Sequence, residues 1–232
     1  MVDCAILVIG GQLQAHTTTL WNLLKRYHVP TILFISKMDL PGKSKEELMA
    51  ELTGQLSAGC VDFCADKDAI YEAAAMCDEA LLETYLETGT VTEGNIRGLI
   101  EQRKLFPCCF GSALKLTGVE KLLSVLDDYA PEKVYPADFA ARVYKISRDP
   151  QGNRLTWLKV TGGGLKVRST LSYVNQKGNP LEEKVIQLRL YSGDKFSTPE
   201  EVFAGQTVAV TGLSATYIGQ RLGSAPQGNT PS

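Results

Sequence analysis

Two short runs carry residue types suited to recognising a flat, polar ligand. Ser36-Lys37-Met38-Asp39 ends one apolar stretch, and Gly111-Ser112-Ala113 ends another. A carboxylate such as Asp39 can accept two parallel hydrogen bonds from adjacent N–H groups, the donor pair that guanine presents at N1 and its exocyclic amine. The methylene stem of Lys37 can lie along such a base, and the backbone N–H groups of Ser112 and Ala113 can donate to its O6. A Lys-x-Asp before Pro41-Gly42 is more often a solvated, carboxylate-capped turn. On residue types alone both readings stand.

Other constellations are poorer. His16 opens a helical pattern and His28 lies beside Pro30 at a helix end, which suits surface or capping roles. Cys60 and Cys64 have a spacing that could suit a metal, but no second pair or nearby His completes four ligands, so no metal site is expected. Cys108-Cys109 falls in an apolar run and reads as buried and inert. Asp127-Asp128 and Glu46-Glu47 diverge by about 100° on a helix and read as solvated. Phosphate binding of the loop type needs G-x-x-x-x-G-K-[ST] after a strand. The chain contains no such run, and no catalytic residue is assigned.

The elements that must position these runs follow from pattern. Residues 2–9, closed by Gly10-Gly11, predict a buried parallel strand. Leu13, Leu20, Leu23, Leu24 and Tyr27 then recur at helical spacings. Pro30 opens a second buried strand at 31–35. Ser44 and Glu47 form a capping-box pattern that starts a helix carrying Leu48, Leu52 and Leu56. Residues 59–66 have no clear pattern. One Ala-rich helix is predicted over 69–86 with Gly89 as its stop, then a helix over 93–103, a strand over 106–110 and a helix over 119–129. This alternation predicts a parallel sheet covered by helices. Such sheets bind ligands at the carboxyl ends of their strands, where both runs fall.

Beyond Pro136 the rhythm changes to short strands, at 139–146, 155–161, 165–174, 183–190 and 207–211. Turns such as Gln151-Gly152-Asn153 and Lys177-Gly178-Asn179-Pro180 separate them, predicting a small antiparallel β-barrel. The fold class is therefore α/β plus all-β. Expected boundaries are 1–136, 137–225, and a linker or chain end at 226–232.

Of the 232 residues 44% are hydrophobic, enough for sizeable cores, so disorder is excluded. No apolar stretch approaches the roughly 18 residues of a membrane span, and the start lacks the basic region and cleavage site of a secretory signal. Six cysteines are too few for a disulfide scaffold, so a reducing cytoplasm is expected. The net charge of −2 conceals an asymmetry. Residues 1–137 hold 12 Lys+Arg against 19 Asp+Glu, a net −7, whereas residues 138–232 hold 12 against 7, a net +5. Arg142, Lys145, Arg148, Arg154, Lys159, Lys166, Arg168 and Lys177 lie on the first part of the barrel. They either neutralise RNA phosphates or cover exposed strand faces.

In order, VDCAILVI, VPTILFISKMDLPG and PCCFGSALKLTGVEKLLSVL resemble the elongation factor G type of translational GTPase. The last resembles the segment with that family's second guanine-contacting loop, and ALLETYLETGTVTEGNIRGLIEQR resembles the helical region between. AARVYKISRDPQGNRLTWLKVTGGGLKVRSTL is similar to the family's second domain, a β-barrel. The short helical segment between Asp39 and Leu81, without a large inserted subdomain, looks closer to the tetracycline-resistance ribosomal protection proteins. The resemblance implies a partial phosphate-loop GTPase sheet followed by the barrel. It implies guanine contacts from Ser36, Lys37, Asp39, Ser112, Ala113 and Leu114. The parent's ligands would be GTP or GDP with Mg2+, with none bound by this fragment alone. The barrel would dock on small-subunit ribosomal RNA, through Arg142, Lys145, Arg148, Arg154, Lys166 and Arg168 as candidate contacts.

Two departures matter. The family's Asn-Lys-x-Asp is here Ser36-Lys37-Met38-Asp39, and serine lacks the amide donor of asparagine, so guanine affinity or specificity should suffer. The loop Gly10-Gly11-Gln12-Leu13-Gln14 is also shorter than the family's. The family's phosphate loop, switch threonine and Asp-x-Pro-Gly-His segment would precede Met1. By this resemblance the chain is an internal fragment that acts in translation but does not hydrolyse GTP alone. The competing reading is a nucleotide-independent ribosome- or RNA-binding module descended from a GTPase. An unrelated α/β enzyme with a barrel would need a catalytic constellation that is missing. Stripping the strands beside 2–9 and 31–35 would expose sheet edge and apolar face, which predicts self-association, such as a dimer.

Overall fold

The apolar runs of the first half become neighbouring parallel strands in the computed structural model, which describes residues 2–131 and 133–223; the expected chain end at 226–232 lies outside them. Two compact units result, one over 2–133 and the other from 134 onward. The first comprises β1 (Ala5–Ile9), α1 (Ala15–Arg26), β2 (Thr31–Ile35), α2 (Lys45–Gln55), β3 (Cys60–Asp62), α3 (Lys67–Ala75), α4 (Glu79–Thr88), α5 (Glu93–Glu101), β4 (Phe106–Phe110) and α6 (Val119–Tyr129). Its strands run parallel in the order β1-β2-β4-β3. Every residue of β2 is buried. Ile32 and Phe34 enter a core shared with α3 to α6, and Leu33 and Ile35 one shared with α1 and α2.

Local signals hold where they are strong. The Ser44 side chain accepts from the Glu47 N–H at 3.2 Å while the Glu47 carboxylate accepts from the Ser44 N–H at 2.7 Å, closing the capping box of α2. Gly89 ends α4 in the left-handed conformation.

Several expectations are corrected. Strand β1 starts only at Ala5 and is an edge strand: Leu7 and Ile9 are buried, but Ile6 and Val8 are 43% and 58% exposed. Residues 31–35, by contrast, expose no edge, because β1 and β4 flank them. Leu20 and Leu23 of α1 and Tyr27 just beyond it remain exposed, and Thr17 and Trp21 are buried instead. The bulk of the indole decides the phase of this helix, since Trp21 packs edge-on against Phe106 at 4.7 Å. The helix expected over 69–86 is two, because the Asp78 carboxylate accepts the Leu81 N–H and starts α4 afresh. Strand β3 emerges from the patternless 59–66, where a Cβ on Gly59 would lie 2.0 Å from the Lys104 carbonyl oxygen.

The second unit is antiparallel throughout: β5 (Ala140–Arg148), β6 (Arg154–Gly162), β7 (Gly164–Lys166), β8 (Thr170–Val174), β9 (Pro180–Lys184), β10 (Gln187–Ser192), β11 (Lys195–Ser197), β12 (Glu201–Phe203), β13 (Thr207–Thr211) and β14 (Arg221–Gly223). Six strands form one sheet, β11-β10-β13-β6-β5-β14, with β12-β7 and β8-β9 as ribbons. Val143, Leu158, Val160, Leu188, Val208 and Val210 belong to a single core. The expected strand over 165–174 breaks where Arg168 adopts a φ of +69°. The one over 183–190 breaks where the Val185 N–H turns to the Ser169 carbonyl. Among the described residues no helix is long and apolar enough to cross a membrane.

Candidate functional site

The two chemically promising runs leave adjacent strands at the same level, since Ile35 pairs with Phe110 at the end of the β2–β4 ladder. The lacing continues into the loops. The Gly111 N–H donates to the Ile35 carbonyl at 2.9 Å, the Met38 N–H to the Gly111 carbonyl at 3.0 Å, and the Ser36 N–H to the Ile9 carbonyl at 2.8 Å. The second loop closes on itself through glycine. A Cβ on Gly111 would lie 2.1 Å from the Thr117 carbonyl oxygen, and one on Gly118 would lie 2.2 Å from that of Phe110.

Lys37 has a φ of +68°, a left-handed conformation uncommon for a residue with a Cβ. Its side chain turns back over the β1 exit, with Cε 3.6 Å from where a Gly10 Cβ would stand. Gly10, Gly11, Lys37, Met38, Leu40 and Pro41 border a cavity of about 330 Å³ there. The Ser112 hydroxyl bonds the Asp39 carboxylate and the Lys115 ammonium lies 3.3 Å from it, and together they hold its carboxyl below the usual range. Asp39 is thus ionised and acceptor-only at neutral pH, as a pair of N–H donors requires.

Both expected backbone donors are engaged within the protein. The Ser112 N–H already donates to the Thr117 carbonyl at 2.9 Å. The Ala113 N–H donates to the Ser36 hydroxyl at 3.2 Å. Among the described residues the Leu114 N–H has no protein partner, and Leu114 is 91% exposed. Leu114 therefore supplies an open donor in this loop. Ser36, only 7% exposed, is more than a weakened asparagine, because it ties one loop to the other. Lys115 was missed by sequence reasoning, although it stands next to Leu114.

This half-site fits a guanine base through the Asp39 carboxylate, the Lys37 stem and the Leu114 N–H. It does not fit the phosphates and Mg2+ of a nucleotide, for which these 232 residues contain no phosphate-loop lysine and hydroxyl.

The basic residues of the second unit do not form one patch. Lys145 and Arg148 are exposed, the latter donating to the Gly152 carbonyl. Arg154 is half-buried and donates to the Thr216 carbonyl. Lys159 is buried with its ammonium on the Gly205 carbonyl at 2.7 Å, and Lys166 lies 3.6 Å from Glu201. Arg168 and Lys177 are exposed in turns, and Arg142 stands on β5 between Lys159 and Arg221.

The cysteines also arrange themselves beyond what spacing showed. Cys108 and Cys109 are fully buried. Cys64 is exposed, and the neighbouring Cys109 thiol lowers its pKa to about 6 while Cys109 is itself pushed up by that contact and by burial.

Residues 1–132 match the family described as the elongation factor Tu GTP binding domain. A crystal structure of a protein from Thermus thermophilus shares the fold, with a TM-score of 0.78 and 21% identity over 99% of this chain and 41% of that one. The chain thus spans less than half the length of the solved structure it matches. With the match running through both strand-end loops built above, the chain belongs to the elongation factor Tu GTP-binding-domain family.

Proposed function

We propose that this chain is the later part of a GTP-binding domain followed by an RNA-contacting β unit, within a cytoplasmic translational GTPase that acts on the ribosome, closest to the tetracycline-resistance ribosomal protection type. The observation that carries this reading is the ionised Asp39 carboxylate at the carboxyl ends of β2 and β4, beside the left-handed Lys37. Guanine's N1–H and amine take the place of Lys115 on Asp39, and the Leu114 N–H donates to O6. Adenine presents a lone pair at N1 and a C–H at C2, so it sets an acceptor against a carboxylate and is rejected. Ribosomal RNA is contacted by the cations of the β unit, Arg142, Lys145 and Arg148 foremost.

NMR titration of the chain with guanosine and adenosine tests the base site. Guanosine should shift the amides of Lys37, Asp39 and Leu114 where adenosine does not. Asp39→Asn should move the preference to xanthosine, whose C2 carbonyl accepts from the new amide. Ser36→Asn should tighten guanosine binding. Equal responses to guanosine and adenosine refute the assignment, and an unchanged affinity in Ser36→Asn refutes the account of that position. The chain alone should hydrolyse GTP at the rate of buffer, and magnesium-dependent turnover would contradict this. The second reading, a nucleotide-independent RNA-binding module, draws on the engagement of the Ala113 N–H by Ser36 and predicts no response to any nucleoside. Self-association through the β1 edge accompanies either reading, supported by the exposure of Ile6 and Val8.

A further inference from the structure

The second unit buries its core on one face of the six-stranded sheet and carries a row of aromatic rings on the other. Leu158, Val208, Val210 and Leu188 point into the core. The residues alternating with them, Trp157, Ala209, Arg189 and Tyr191, therefore belong to the outer face. Lys145, Trp157, Ala209 and Arg189 are directly opposite one another across β5, β6, β13 and β10.

Phe196 of β11, Tyr191 of β10, Trp157 of β6 and Tyr144 of β5 follow each other with centroid separations of 5.1, 4.9 and 6.4 Å. Tyr191 and Trp157 meet across an intervening strand because its residue there is Ala209, small and fully buried. Phe196 is 45% exposed, and the other three rings are half-buried. This aromatic surface lies outside the core and is most open at Phe196.

Cations frame the row. The Lys145 ammonium is 5.1 Å from the Trp157 ring and the Arg189 guanidinium 4.7 Å from that of Phe196. Arg189 is also held by Asp149 at 3.0 Å, which fixes it as a support for Phe196. Two residues along β6 from Trp157, on the same face, Arg221, Arg142 and Lys159 stand side by side in register. Planar stacking surfaces beside cations such as Arg142 and Lys145 are what a single strand of nucleic acid needs, with bases on the rings and phosphates on the cations.

We propose that the Phe196–Tyr191–Trp157–Tyr144 row is a stacking platform for unpaired bases of single-stranded RNA, whose phosphates pass along Arg142 and Lys145. It rests on the RNA-binding reading of the β unit and adds to it the rings, which that reading left out.

The chain has two tryptophans, Trp21 and Trp157, so Trp21→Phe makes Trp157 the single reporter. Titration of this variant with a short oligoadenylate should quench Trp157 emission, with the affinity that anisotropy of the labelled oligonucleotide reports. Phe196→Ala, at an exposed position, should weaken binding about ten-fold with an unchanged thermal melt. Arg142→Gln should lower the salt slope of log K by about one. Binding with a normal salt slope but without quenching, and unaffected by Phe196→Ala, overturns the platform and leaves the RNA reading standing. No oligonucleotide binding at all overturns both. Shielding of Trp157 from acrylamide by self-association, without RNA, would assign this face to a second copy and overturn the proposal.

Discussion

Replacing Ser36 by alanine removes the acceptor used by the Ala113 N–H, a 3.2 Å bond between loops 77 residues apart in sequence. Ser36 is only 7% exposed but Ala113 is exposed, so water can replace the hydroxyl at that N–H and the loss is that of an ordinary hydrogen bond. Such a bond contributes about 0.5–1.5 kcal/mol net. The loop should stay attached, because Gly111 keeps its bonds to Ile35 and Met38 and Asp39 keeps Ser112 and Lys115. For a unit of this size each kcal/mol moves the melting midpoint by roughly 3–5 °C. The transition of the 2–133 unit should therefore fall by roughly 2–8 °C, with that of the β unit unmoved. Calorimetry resolves the two, and hydrogen exchange at the Ala113 amide reports the lost bond directly. A midpoint unchanged within about 1 °C, with Ala113 equally protected, would refute the idea that Ser36 ties the loops together.

Three further outcomes are expected. Asp39 is depressed below the ordinary carboxylate value of 3.8 by Ser112 and Lys115, so its contribution is complete above that value and is lost as pH falls through the lowered one. Guanosine binding should accordingly be flat from about pH 8 to 5, and a midpoint near pH 5 would count against Asp39 as the acceptor. Cys64 should be the fastest thiol to alkylate in the native chain, with a midpoint at about pH 6, while Cys108 and Cys109 stay unlabelled; mass spectrometry of tryptic peptides reads both. Val8→Lys, at a 58% exposed position on the edge strand, should abolish concentration-dependent sedimentation without lowering the melt. A wild-type chain that is monomeric at all concentrations would sink the self-association reading.

The elements legible in the sequence are those specified by contiguous residues. Strand β2 at Thr31–Ile35, strand β4 at Phe106–Phe110 and helix α6 at Val119–Tyr129 coincide with their apolar patterns. The Ser44–Glu47 box needed three residues of context. Asp78 could be read as a helix start, but an unbroken Ala-rich pattern outweighed it. The three-residue strands β3, β11, β12 and β14 carry too little periodicity to be seen, and exist because a neighbouring strand offers its hydrogen bonds.

At the candidate site, Lys37 and Asp39 were readable from their spacing at a strand end, because their chemistry resides in their own side chains. Which backbone N–H remains open was not. That depends on Ser36 reaching Ala113, Thr117 reaching Ser112 and Lys115 reaching Asp39. Likewise a net +5 pointed to an anionic partner for the second half, but strand register set Arg142 beside Arg221 and Lys159 and lined four rings on one face. Residue types and local periodicity therefore determined the fold class and the chemistry on offer. Tertiary structure decided which donors are already satisfied and which charges and rings meet, since those contacts join residues far apart along the chain.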